Sequence, residues 1–95
     1  METMTIQSSA NTLYLVRQAV ERERARLELA LELARKRLKP FEQKYGVSSQ
    51  TFMQEMAAED LEGGDQEYVR WAGEFILMER LADKLAQLQE IRILD

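Results

Sequence analysis

The chain contains no cysteine and no histidine. The first absence excludes disulfides and thiol chemistry. The second removes the commonest general base and the commonest metal ligand, and together they exclude zinc and most redox-metal sites. One proline and four glycines leave long stretches without a helix breaker. Aromatic residues are only 7% of the chain, and no apolar run approaches the roughly 18 residues that a membrane span requires. Met1 to Gln7 show neither a basic segment nor an apolar one, so they do not read as a signal peptide, and a cytoplasmic location is expected.

What is abundant is charge. Asp, Glu, Lys and Arg make up 32% of the residues, alongside many Leu, Ala and Gln, a composition that favours long helices or coiled coil. At 95 residues there is room for one domain, residues 1–95. Two long helices alone bury little, so a stable fold is expected to need self-association or a partner. The net charge of −4 hides an asymmetry: residues 1–45 carry nine Lys or Arg against six Asp or Glu, residues 46–95 four against eleven. Antiparallel helices of opposite bias would attract each other. The functional alternative is a basic face for nucleic acid or an acidic face for a basic partner.

Residues 1–8 are polar and aperiodic, which predicts a flexible arm. Ser8, Ser9 and Asn11 are candidate caps for helix 1, predicted over residues 11–45. There Leu13, Val20, Leu27, Ala34 and Phe41 recur every seven residues, and Arg17, Arg24, Leu31, Leu38 and Tyr45 follow each by four. Both rows are apolar only in the second half, where they form a packing stripe. In the first half Leu15, Val16 and Ala19 supply an adjacent apolar face, so the two halves are expected to meet different neighbours. Glu28 with Arg24, and Glu32 with Arg35 or Lys36, have the spacing of exposed ion pairs. Pro40 predicts a kink or a restart, and the continuing phase of Leu38, Phe41 and Tyr45 favours a kink.

Gly46 is placed as a left-handed stop. Ser48 is the predicted cap of helix 2, residues 48–60, with Val47 and Phe52 spaced as a hydrophobic staple. Leu61 to Gly64 end it. Asp65 is then expected to cap helix 3, residues 65–94, whose apolar residues recur at gaps of three and four from Val69 to Ile91. Gly73 inside it costs about 1 kcal/mol relative to Ala, a cost that a close helix neighbour would explain.

The pattern therefore predicts an all-α fold: a long antiparallel helical hairpin with a short intervening helix, two copies pairing into a four-helix-type bundle. Phe41, Tyr45, Gly46, Ser48, Phe52 and Trp71 are the expected structural junction. Leu27, Leu31, Leu38, Phe75, Met78, Leu85 and Leu88 are the candidate partner or dimer surface. Arg35, Lys36, Arg37 and Lys39 form the densest basic run and the candidate nucleic-acid contact, although no aromatic interleaves it and Glu32 and Glu42 flank it.

Catalytic patterns are missing. Carboxylates cluster from Glu55 to Glu67, but Asp65 stands where a calcium loop opening at Asp60 would need glycine. The paired ExxE and ExxD motifs of all-helical nucleotide pyrophosphohydrolases are incomplete: Glu59 and Glu62 have one spacing, but Glu79 is followed by Ala82 and Asp83. Gly63-Gly64 belongs to no phosphate loop, and no nucleophile–base pair assembles. A non-enzymatic protein without cofactor or metal is expected.

The stretch Phe41-Glu42-x-Lys44-Tyr45-Gly46-Val47-Ser48-Ser49-x-x-Phe52, followed by Gly64-Asp65-x-Glu67-Tyr68-x-x-Trp71-Ala72, resembles a family of short bacterial and archaeal helical proteins encoded beside small toxins and regarded as antitoxins of toxin–antitoxin modules. The resemblance spans about residues 38–88, with aromatic, glycine, serine and tryptophan residues matching in order and spacing. Pro40 and Met53 depart from it, where non-proline and aromatic residues are expected. It implies a protein that binds and neutralises a cognate toxin, with no chemistry of its own. A self-associating structural or scaffold protein, a DNA-binding autoregulator and a nucleotide hydrolase of divergent motif are the alternatives.

Overall fold

The computed structural model describes residues 4–7 and 9–94, with side chains for 9–91. Element order is β1 (Met4–Gln7), α1 (Ala10–Tyr45), α2 (Ser49–Glu55), a 3-10 turn (Ala58–Asp60), α3 (Gly64–Gln89) and β2 (Ile91–Leu94). Architecture is helical, a hairpin of α1 against α3, elongated at 58 × 23 × 19 Å. A two-stranded parallel ribbon joins the ends, in which Met4 pairs with Ile91 and Gln7 with Leu94.

Helix α1 starts where Ser9, in extended conformation, accepts a hydrogen bond from the Thr12 amide at 3.4 Å. It runs uninterrupted through Pro40, as only one hydrogen bond is forfeited there and the seam on either side holds the helix. Gly46 ends it with φ 65° and donates its N–H to the Glu42 carbonyl at 2.8 Å. That left-handed conformation is one a side chain adopts only with strain. Ser48 then accepts from the Thr51 amide at 3.1 Å and starts α2.

Three expected boundaries are corrected. Helix α2 stops at Glu55, because Asp60 takes the Ala57 N–H at 2.8 Å and the chain turns so that Leu61 enters the core, only 5% exposed. Asp65 is not the cap of α3; Gly63 holds that place, and Glu67 reaches back to its N–H at 3.2 Å. Helix α3 ends at Gln89, since residues 91–94 pair with residues 4–7 as strand. The expected flexible arm covers residues 1–8: residues 4–7 are strand, whereas 1–3 and Ser8, a candidate cap, lie outside the described residues.

The seam expected to face a partner faces inward instead. Leu27, Leu31 and Leu38 are 2%, 6% and 3% exposed. Leu27, Leu31, Ala34 and Leu81 form one core cluster, with Met78, Leu85 and Leu88 packed on it. Leu38, Phe52, Leu61 and Trp71 form a second, which includes Phe75 and again Met78. The seven-residue stripe is satisfied by its own returning helix, which is the nearest apolar surface in the chain. In the first half of α1, Leu15, Val16 and Ala19 were expected to supply an adjacent apolar face: Leu15 and Ala19 are exposed and Val16 is half-buried, while Leu13 of the seam is buried.

Charge follows the same logic. Lys44 pairs with Glu67 at 2.9 Å and Glu62 at 3.3 Å, and Arg37 lies 4.0 Å from Glu74, so the basic helix meets the acidic one. Along α1, Lys36 pairs with Glu32 at 3.4 Å as expected, whereas Arg24 pairs with Glu21 at 3.1 Å rather than with Glu28. Such exposed pairs contribute a few tenths of a kcal/mol each. Packing therefore dominates. Leu31→Ala is expected to lower unfolding free energy by about 2–5 kcal/mol, and Leu29→Ala, two residues away but 58% exposed, by under about 0.5 kcal/mol. Urea denaturation of the two variants checks the contrast.

Candidate functional site

Three elements converge on Trp71, which is wholly buried. Phe52, from α2, lies parallel to its indole at 3.9 Å between ring centroids, with an interplanar angle of 1°. Phe41 and Tyr45, one turn apart at the end of α1, stack on it at 5.4 and 5.6 Å. Tyr68 tilts against Phe52 at 5.0 Å. Trp71 and Phe52 are wholly buried and Phe41, Tyr45 and Tyr68 partly so, which concentrates apolar burial at this point.

A buried indole N–H needs an acceptor. Trp71 Nε1 donates to Ser49 Oγ at 2.8 Å; that hydroxyl donates to Glu42 Oε2 at 2.7 Å, and the same carboxylate oxygen accepts the Ser49 amide at 3.0 Å. One hydroxyl thus ties α3, α2 and α1 together. Ser49 is 2% exposed, and its hydroxyl is engaged between the Trp71 indole and the Glu42 carboxylate. Neither Ser49 nor Glu42 was singled out for this role by sequence reasoning. The available signal was a second serine directly after one that already suffices as the cap.

A second set closes the mouth of the junction. Glu67 Oε1 accepts from the Tyr45 hydroxyl, which itself accepts the Glu62 amide at 2.8 Å, and Glu67 Oε2 accepts from Lys44. The Tyr45 and Lys44 donors pull the Glu67 carboxyl from its ordinary 4.5 down to about 2, and the Lys44 ammonium is held above its ordinary range by the same contact. Lys44 also sits 5.3 Å from the Tyr45 ring centre, and Arg70 lies 5.7 Å from that of Phe41.

Of the expected junction residues, Phe41, Tyr45, Phe52 and Trp71 stack in this cluster, whereas Gly46 and Ser48 are exposed and cap the end of α1 and the start of α2. The basic run is dispersed. Arg35 and Lys39 border a groove floored by Phe75 and Met78, Arg37 lies across the hairpin in a groove with Pro40, Phe41 and Arg70, and Lys36 pairs with Glu32. These four cations do not form one patch, because consecutive helical positions point about 100° apart.

Large apolar side chains remain exposed on the faces turned away from the seam. On α1 they are Tyr14, Leu15, Leu29 and Leu33, and on α3 Val69, Ile76 and Leu77. Among the described residues no three carboxylates gather as a metal site, and no helix is long and apolar enough to cross a membrane. No protein-family model, curated protein or solved structure matches this chain.

Two outcomes test the junction. Ser49→Ala leaves the indole N–H without an acceptor and is expected to cost about 1–3 kcal/mol, read by the fluorescence of the sole tryptophan during denaturation. Because the folded Glu67 carboxyl is depressed, its stabilising contribution is present above 4.5 and is lost as pH falls toward 2. The thermal midpoint should therefore fall through that window, and Glu67→Gln should flatten the fall.

Proposed function

We propose that this chain is a non-enzymatic protein-binding module that acts as an antitoxin, masking a cognate toxin with the outer face of α1. The observation that carries the reading is Leu29 and Leu33, 58% and 41% exposed, four residues apart on a rigid helix whose inner seam is already complete. A helix with apolar residues on two faces has one more than its own fold uses, and such a face is the usual docking surface for a partner helix or groove. The resemblance over residues 38–88 supplies the partner class. That part of the chain contributes the junction that packs the end of α1 against α2 and α3, and leaves the docking residues outside the matching motif.

The test pairs the chain with the product of the adjacent reading frame. Co-expression is expected to yield a stoichiometric complex and to restore growth that the neighbour alone arrests. Leu29→Glu with Leu33→Glu should abolish both while helical circular dichroism stays unchanged. A neighbour that neither arrests growth nor binds contradicts the proposal.

A further inference from the structure

We propose that two copies of this chain pair through the outer faces of α3, crossing antiparallel at Gly73. Glycine in mid-helix costs about 1 kcal/mol relative to alanine, and something usually requires it. Here nothing inside the protomer does. Gly73 is not among the glycines of positive φ, and a Cβ added to it would meet nothing within 4 Å. The close helix neighbour that its presence suggested is therefore absent from the fold itself. Apolar side chains surround the open site: Val69 is 66% exposed, Ile76 40% and Leu77 41%, all within two turns of Gly73. A glycine between them lets a second helix approach closer than the usual 8–10 Å or so between packed axes.

Charge selects the occupant and its direction. In an antiparallel two-fold pair centred on residue 73, each position faces the one equally far on the other side. Leu77 then meets the second copy's Val69, and Arg80 meets its Asp65 and Gln66. Neither Arg80 nor Asp65 forms an ion pair within the protomer among the described residues. A parallel pair would set Arg80 against Arg80 and Asp65 against Asp65, which like-charge repulsion disfavours. The contact is self-complementary, as a two-fold interface must be. It occupies α3 and leaves the outer face of α1 open, so it does not depend on the partner proposed above.

Sedimentation of the full chain at micromolar concentrations is expected to show a reversible dimer. Arg80→Asp should weaken it by about tenfold or more, and Arg80→Asp with Asp65→Arg should restore it. The chain has no cysteine, so Gly73→Cys provides a clean probe: a disulfide requires the two Cα atoms within about 7 Å, and mild oxidation should link this variant but not Leu29→Cys. Gly73→Ala should raise helical stability yet weaken association, whereas a role confined to the protomer would leave association unchanged. The proposal is overturned if the native chain sediments at 11.1 kDa throughout, or if a dimer forms that Arg80→Asp leaves intact and Gly73→Cys does not cross-link.

Discussion

The hydrogen bond from the Trp71 indole to Ser49, within a stack of three further rings, is the constraint on which this fold depends. A tryptophan can be wholly buried only if its N–H is satisfied. Here the acceptor comes from the first residue of α2, and that acceptor is itself fixed by Glu42 in the last turn of α1. The aromatic stack fixes distance and the polar chain fixes orientation. Gly46 and Ser48 matter because they turn the chain tightly enough for Ser49 to reach under Trp71. Around this core Glu67 and Lys44, with the hydroxyl of the stacked Tyr45, form a polar rim that closes the turn.

Away from the junction the hairpin is held by a narrow leucine seam. Leu27, Leu31 and Ala34 against Leu81 suffice to align two helices, but not to cover their remaining faces. The consequence is a thin, elongated molecule that is complete along one line and unfinished along two others. Its length leaves apolar side chains of both helices exposed on the faces turned away from the seam.

Helix periods, the glycine stop and the serine restart were legible in the residues because each rests on local chemistry. The phase of Leu27, Leu31, Leu38 and Phe41 identifies the packing stripe whatever lies opposite. What a period cannot say is which surface fills it, and so Leu85 and Leu88, placed on a partner surface by their spacing, proved to pack within the chain. The role of Ser49 and Glu42 escaped notice because the Trp71–Ser49 and Ser49–Glu42 bonds join residues far apart in sequence through one hydroxyl. The ribbon of residues 4–7 and 91–94 was illegible for a related reason: Leu88 and Ile91 continue the helical spacing, and only the other terminus makes strand the better state.

If the junction locks the hairpin, its indole proton should be among the last to meet solvent. Hydrogen exchange followed by NMR measures this directly, since Trp71 contributes the single indole signal of the chain. The account predicts that this proton exchanges only through global unfolding, with the same opening free energy as the amides of Leu31 and Leu38. Exchange of the indole through a lower-energy local opening, while the seam of α1 and α3 stays protected, would contradict it.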